Sequence, residues 1–211
     1  WGAKRQRDAG EAARHFLGLS LAASLVLAAL GMTLNRFAMD LLGAESGVIA
    51  LAIPYSTIIF LVIPFTVLLQ VLSSILQGTG DTRTPMYAMI LVNLLHIGIA
   101  YPLVYGYWGL PALGVKGAAI AVGIAEAIGV AFLWWRSRSV LQPSTHIRLD
   151  LIRTMWHVGA PVSGERIVQQ AGILIYTKLV LLYGTVSYAA HQVGLSIESL
   201  SFLPGYGFAI A

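Results

Sequence analysis

Seven ionisable side chains lie inside long apolar stretches of the sequence, where charged groups are rare. They are Glu126, Glu165, Arg166, Lys178 and Glu198, with His96 and His191 as titratable neighbours. A charge at the centre of a membrane helix costs roughly 2.5–3.5 kcal/mol on insertion scales, and such groups usually face a cavity or a partner. A carboxyl group removed from water favours its protonated form, and it can take up and release a proton during transport. These residues are therefore candidates for binding a proton or another cation inside a membrane.

The fifth apolar stretch carries the densest polar group. Glu165 shares a helix face with Gln169, four residues later, and Arg166 shares one with Gln170. Adjacent residues on a helix point about 100° apart, so Glu165 and Arg166 do not face each other. A lipid-facing helix would not tolerate so many polar side chains. We therefore expect this segment to line something polar.

Two interpretations of this group stay open. The tight turn at Gly184 joins the fifth stretch to the sixth, so Glu198 can approach Glu165 and Arg166. In the first interpretation, Arg166 pairs with Glu198 or Glu165 and only holds two helices together. In the second, a carboxylate of this group binds and releases a proton or a cation during transport.

Other polar residues within the apolar stretches are weaker candidates. Asn93 and His96 share a helix face at i, i+3, a pattern that favours an interhelical hydrogen bond over a ligand site. Glu126 has no charged neighbour in its own stretch, and His96 is its candidate partner. The functional alternative for Glu126 is a role in coupling ion movement to transport. Lys178 lies near the outer end of its stretch, where its ammonium group can reach the interface.

Composition places these residues in an integral membrane protein. Of 211 residues, 57% are hydrophobic and 10% are charged, against roughly 25% charged in globular proteins. The apolar residues are grouped in stretches long enough to cross a hydrocarbon core about 30 Å thick. There are no cysteines. These features exclude a secreted disulfide scaffold, a disordered tail and a nucleic-acid-binding module.

Six spans are predicted, all helical, because the alternation of a membrane β-strand is absent. They cover residues 16–34, 48–76, 86–108, 117–135, 158–183 and 185–211. Of the 13 Lys and Arg residues, nine lie before the first span or in the loops after the second and fourth, whereas the alternate loops hold only Arg36 and Lys116. Positive residues gather on the cytoplasmic side, so the segment before the first span is predicted to lie inside.

The order of the spans predicts three regions. Residues 1–140 hold four spans, residues 141–157 form a cytoplasmic linker with a short surface helix, and residues 158–211 hold two spans. Thr84 is expected to cap the third helix, with Pro85 at its first helical position. The chain lacks an initiator Met and stops within an apolar run, which we interpret as an internal piece of a longer chain. No soluble-enzyme constellation is present, and we predict neither enzymatic activity nor a metal site.

The run Gln77-Gly-Thr-Gly-Asp-Thr-Arg-Thr-Pro85 lies at the cytoplasmic end of the second span. It resembles a loop of the multidrug and toxic compound extrusion (MATE) family. The matching positions are Gly78, Gly80, Asp81, Thr82, Arg83, Thr84 and Pro85. Further stretches match that family in order, at residues 113–119, 159–161, 189–192 and 197–208, so the resemblance covers nearly the whole chain.

The resemblance implies a polytopic all-α bundle, with six spans of a twelve-helix, two-lobe transporter. The chain would hold helices three to six of the first lobe and helices seven and eight of the second. It also implies a secondary antiporter in a bacterial inner membrane that exports small cationic or amphipathic compounds, needs no cofactor and works as a monomer. One branch of the family carries an acid where Gln169 stands, and Glu165 fits the other bacterial branch better. The coupling ion is left open between H⁺ and Na⁺.

Three other functions are considered. A lipid-linked sugar flippase of the same superfamily would want a more basic cleft to hold pyrophosphate, and the acids in the later spans weigh against it. A membrane enzyme would need a nucleophile paired with a base or a metal cluster, and the sequence shows neither. A piece of a transporter on its own could also be inactive.

Overall fold

The computed structural model describes residues 6–43, 46–141 and 149–210, and these residues are almost entirely helical. The six helices are α1 (Gln6–Leu42), α2 (Ser46–Gly78), α3 (Arg83–Tyr105), α4 (Val115–Ser137), α5 (Leu149–Leu181) and α6 (Thr185–Ile210). A single 3₁₀ turn, Tyr107–Gly109, lies between α3 and α4 in the described chain. The predicted all-α class is confirmed.

Four of the described helices, α1 to α4, are long and apolar enough to cross a membrane. The 33 residues of α2 extend about 50 Å at 1.5 Å per residue, well beyond a hydrocarbon core of about 30 Å. The predicted fifth and sixth spans are also long helices, α5 and α6, but polar residues within them lower their hydropathy. Those residues are Glu165, Arg166, Gln169, Gln170 and Lys178 in α5, and His191, Gln192 and Glu198 in α6.

The chain divides into two compact units, residues 1–152 and residues 153–211. The expected short surface helix is not a separate element from Leu149 onward, because those residues form the first turns of the continuous helix α5. Nothing in the described part of this segment breaks the helix: its first proline, Pro161, stands well inside α5. Residues 142–148 of the predicted linker lie outside the described part, and the assignment of the two units to two lobes stays a prediction.

Helix α2 lies at the centre of the first unit, where it packs against both α1 and α4, while α3 packs mainly on α4. The apolar core lies toward the end of α2 that we predict to be cytoplasmic. Leu72 and Leu133 have no exposed surface there, and Leu69, Leu76 and Val92 are nearly as buried.

Small residues on α4 bring the helices of the first unit close together. At intervals of four residues, α4 presents the buried positions Gly117, Ala121, Ala125, Gly129 and Leu133. A Cβ at Gly129 would collide with Val92 of α3 and Leu69 of α2. Close backbone approach through small residues is a common basis of helix association in membranes. Burying apolar side chains adds little to the free energy of association there, because lipid tails are equally apolar.

A hydrogen-bonded side-chain network joins α1 to α2. Asn35 is 4% exposed, and its Nδ2 donates to the Ile53 carbonyl and the Thr57 hydroxyl, both at 3.3 Å. The Ser56 hydroxyl in turn donates to Asn35 Oδ1 at 2.8 Å. Burying the Asn35 amide without hydrogen-bond partners would lower the stability of the fold by about 1–3 kcal/mol. The network therefore fixes the register of the two helices.

Substitution of Gly117 should loosen the contact between α3 and α4. A Cβ there would lie 2.6 Å from the carbonyl oxygen of Leu103, a backbone atom that cannot rotate away. We expect Gly117→Ala to lower stability by about 1–3 kcal/mol, the usual cost of overpacking, and to lower the melting temperature in detergent. Gly98→Ala on α3 is the control, because a Cβ at Gly98 meets no atom within 4 Å. Equal melting temperatures for the two variants would contradict the close contact.

Candidate functional site

Glu126 of α4 is held by a hydroxyl group of α2. The Thr66 Oγ1 donates a hydrogen bond to Glu126 Oε2 at 2.6 Å, and Glu126 is partly buried. Ala125, the residue before Glu126, is fully buried in the core. Because α4 has this rotation, the Glu126 side chain emerges beside α2, where Thr66 can bond it. Glu126 Oε1 has no hydrogen-bond partner among the described residues. That oxygen can therefore bind a proton or a cation without breaking the bond to Thr66.

His96 of α3 is the sequence-predicted neighbour of Glu126, and it lies near enough for a charge on its ring to act on the Glu126 carboxylate. No hydrogen bond joins them within the described chain. Asn93 does not make an interhelical bond either. It is exposed, and its Nδ2 donates at 2.7 Å to the Met89 carbonyl of its own helix. The structure thus groups Glu126, His96 and Thr66, while Asn93 stands apart from them.

The polar group of α5 is arranged differently from either sequence-based pairing. Arg166 donates through Nη1 to Gln169 Oε1 at 3.2 Å, a bond within one helix. Across the described residues, Arg166 makes no ion pair with Glu165 or Glu198, and all three side chains are exposed. A glutamine carbonyl thus takes the place that the first interpretation gave to an acid. Both carboxylates stay available for another ligand.

A polar contact that was not expected from the sequence links α5 to α6. Tyr176 Oη lies 3.1 Å from His191 Nε2, and the two rings meet edge to face with centroids 5.3 Å apart. The pair lies close to the turn at Gly184, where the two helices are joined. The fifteen-residue separation of Tyr176 and His191 gives no local signal of this contact.

The Gly-Thr-Gly-Asp segment ends α2 with a Schellman motif. The Asp81 N–H donates to the Leu76 carbonyl at 3.0 Å, and the Gly80 N–H donates to the Gln77 carbonyl at 2.9 Å. Gly80 has φ of +90°, a left-handed conformation that glycine adopts without strain. Gly78 is the last residue of α2 and has open space around it, so the structure gives no physical reason for a glycine there.

Asp81, rather than Thr84, caps α3. The Asp81 Oδ1 accepts the Thr84 backbone N–H at 3.0 Å, and its Oδ2 accepts the Thr84 hydroxyl at 2.6 Å. The predicted cap at Thr84 is wrong because the helix begins at Arg83, which places Thr84 and Pro85 inside its first turn, where both are buried. The bond from the Thr84 hydroxyl is the largest of the effects that hold the pKa of Asp81 below its ordinary value. The bond from the Thr84 N–H and the charge of Arg136 lower this pKa further.

Two other residues of the motif face outward. Thr82 and Arg83 are exposed. Arg83 lines a surface depression of about 430 Å³ with Asp81, Tyr87, Trp135 and Arg136. The motif therefore joins two helices in a short space and leaves one arginine at the predicted cytoplasmic surface. In the described part of the chain, no three His, Asp or Glu side chains group as metal ligands.

Sequence comparison identifies the family. The MatE family model matches residues 1–102, and the model described as lipid II flippase MurJ matches residues 60–190. The probable multidrug resistance protein NorM of Thermotoga maritima is 33% identical over 153 residues, which are 68% of this chain and 32% of that protein. The chain belongs to the MATE family. The probable multidrug resistance protein YoeA of Bacillus subtilis is 26% identical over the whole of this MATE chain and 48% of its own length.

Solved structures confirm the fold of this MATE chain. A multidrug resistance MATE family transporter of the MOP superfamily in an inward-facing conformation matches 96% of the chain with a TM-score of 0.82 at 22% identity. A MATE structure in the bent conformation matches the same share with a TM-score of 0.79. The chain covers 47% and 46% of those two chains, so it spans about half the length of the proteins it matches. It is part of a multi-pass membrane protein.

Loss of the Asp81 cap should loosen the first turn of α3. We expect Asp81→Ala to speed hydrogen exchange over residues 82–88 about fivefold, since loss of a cap typically costs about 1 kcal/mol. A carboxylate with a lowered pKa stabilises the folded state above its unfolded pKa, and that contribution disappears as the pH falls through its folded pKa. The cap is therefore intact at neutral pH and weakens below about pH 4.

Hydrogen exchange measured by mass spectrometry, corrected for intrinsic rates, checks both parts of this prediction. Asp40→Ala, which removes an exposed acid at the end of α1, is the control. Unchanged exchange in Asp81→Ala would show that Asp81 is not a cap.

Proposed function

We propose that the complete protein is a secondary antiporter of a bacterial inner membrane, which exports small organic cations in exchange for H⁺ or Na⁺. Its relatives in Thermotoga and Bacillus are named as probable multidrug resistance proteins. This chain supplies about half of such a protein. The proposal concerns the whole molecule, and the described residues support it by the chemistry that they place within the helices.

The observation that carries the proposal is the Glu126–Thr66 hydrogen bond. A carboxylate in the middle of α4 is anchored by one oxygen at 2.6 Å, and its other oxygen has no hydrogen-bond partner among the described residues. An acid that only stabilised the fold would be expected to have a cation or further donors on both oxygens. An anchored acid with one open oxygen can alternate between a proton and a cationic ligand.

The exposed carboxylates of α5 and α6 support the same chemistry. Glu165 and Glu198 have no ion pair within the described part of the chain, and Arg166 is bonded to Gln169 instead. Organic cations are attracted by carboxylates and also by aromatic faces, and Tyr176 offers one near the α5–α6 turn. We propose Glu165 and Glu198 as groups that meet the substrate or the coupling ion.

Competition for one carboxylate couples the two fluxes. When a proton or Na⁺ occupies the acid, its charge is neutralised and an organic cation leaves. When the ion departs on the other side, the charge returns and the next organic cation binds. A transporter that binds either ligand, but not both, cannot complete its cycle without exchanging them.

Removal of the charge should stop the exchange. In the complete protein we expect Glu126→Gln, Glu165→Gln and Glu198→Gln each to reduce ethidium efflux to background, because an amide cannot take up a proton. Glu126→Gln keeps an oxygen that accepts the Thr66 hydroxyl, so its loss of efflux would report charge rather than a broken contact. Dye efflux from cells, with the amount of inserted protein measured in parallel, checks this expectation.

Asp40→Asn is the matched control, because Asp40 is an exposed acid at the end of α1. Efflux at the wild-type rate in all three glutamine variants would show that these carboxylates are structural.

We expect a proton gradient to drive efflux. A metal cation in an oxygen site needs several ligands, whereas Thr66 is the only side chain that bonds Glu126 among the described residues. Proteoliposomes with an imposed pH gradient should therefore expel dye, and those with only a sodium gradient should not. The reverse result would assign Na⁺ as the coupling ion.

A lipid-linked sugar flippase is the second candidate, and the MurJ match over residues 60–190 favours it. Such a flippase would move a polyprenyl pyrophosphate, an anion. Reconstituted complete protein that transfers a fluorescent lipid-linked pyrophosphate between leaflets, without moving ethidium, would establish this function and contradict the antiporter.

A further inference from the structure

An apolar cavity with two arginines at one end lies between α1, α2 and α4. Its volume is about 420 Å³, within the usual range for small-molecule sites. Arg14 of α1 and Arg138, which directly follows α4, line it. All its other described lining residues are apolar side chains or glycine, among them Leu17, Leu21 and Trp134. The cavity thus has a charged end and an apolar body.

Within the part of the chain that the structure describes, no acidic side chain forms an ion pair with either guanidinium group. Arg14 and Arg138 are exposed, and no acid among the described residues lines the cavity. Arginine is well suited to phosphate because its planar group donates two parallel hydrogen bonds. An anion with phosphate chemistry would therefore satisfy both side chains.

The apolar part of the cavity sets the second requirement. From Arg14 to Leu21 the cavity follows α1 for about 10 Å at 1.5 Å per residue. Buried side chains of two helices form its inner surface: Leu17 is 6% exposed and Leu72 of α2 is fully buried. A soluble anion would leave this surface uncovered, and an organic cation would be repelled by the arginines.

We propose that this cavity binds an anionic phospholipid, with the phosphate between Arg14 and Arg138 and an acyl chain along Leu17 and Leu21. The arginines lie at the end of the helices that the charge distribution assigns to the cytoplasm, the level of lipid headgroups in that leaflet. Basic pockets between membrane helices on that side are known to bind anionic headgroups. The site differs from Glu126 and does not depend on the proposed transport.

The neighbouring residue Arg136 provides the matched control. It also lies at the end of α4 and is exposed, but it lines a different depression, where it acts on the Asp81 carboxylate. Because that acid already offers Arg136 a negative charge, its substitution should leave lipid binding in the cavity unchanged.

Native mass spectrometry of the delipidated complete protein tests the proposal with phosphatidylglycerol and phosphatidylcholine. We expect phosphatidylglycerol to bind more tightly. Arg14→Gln and Arg138→Gln should each weaken it about fivefold, and the double variant about twenty-five-fold, from the usual contribution of one basic residue near anionic lipid. Arg14→Lys keeps the charge but loses the paired hydrogen bonds, so its binding should lie between those of the wild type and Arg14→Gln, while Arg136→Gln should bind as the wild type does.

Equal binding of the two lipids, wild-type binding by the double glutamine variant, or full displacement of the lipid by inorganic phosphate would overturn the proposal.

A second measurement needs no arginine substitution. Phosphatidylglycerol with brominated acyl chains should quench the fluorescence of the wild type more than that of Trp134→Phe, because Trp134 lines the cavity. Equal quenching would show that another part of the complete protein covers this surface, and would also overturn it.

Discussion

Helix contact in a bilayer cannot depend on apolar burial, because lipid tails are as apolar as leucine, and the first unit depends instead on close backbone packing. Its seam is the small-residue face of α4, where Gly117 lies against the Leu103 backbone and Gly129 against Val92 and Leu69. This seam fixes the rotation of α4 about its axis. Everything else that α4 presents follows from that rotation.

The position of Glu126 follows from this rotation. This residue follows Ala125, a fully buried residue of the seam, so it points to the side of α4 where Thr66 of α2 can donate to it. A different rotation would turn the carboxylate into lipid, where a charge is costly. The same packing that stabilises the unit therefore also positions an acid within hydrogen-bond distance of a single hydroxyl.

Several other polar side chains among the described residues bond to protein groups. Asn35 ties α1 to α2 through three partners, Arg166 bonds Gln169 within α5, and Asp81 holds the first turn of α3. Backbone and side-chain polar groups must find protein partners where water is scarce. Glu165 and Glu198 differ from these residues, because both are exposed and neither forms an ion pair among the described residues.

The sequence motif at the α2–α3 joint shows how a resemblance and a physical account differ. The resemblance selected seven residues from Gly78 to Pro85. The structure assigns a local reason to some of them: Gly80 takes the left-handed conformation of a Schellman motif, and Asp81 caps the next helix. Thr84 was expected to be that cap, but α3 begins one residue earlier, at Arg83. The first residue of α3 depends on where α2 ends, and the Thr-Pro pair alone does not encode that.

The sequence by itself determined the helical class, the long apolar spans and the residues that carry charge within them, because hydropathy and charge are local properties of the chain. It also carried the family resemblance. Only the tertiary structure decided which of those residues meet. Glu126 bonds Thr66, sixty residues earlier, Arg166 bonds a glutamine rather than an acid, and Tyr176 reaches His191. Such pairings depend on the rotation and spacing of whole helices, which many small contacts set together.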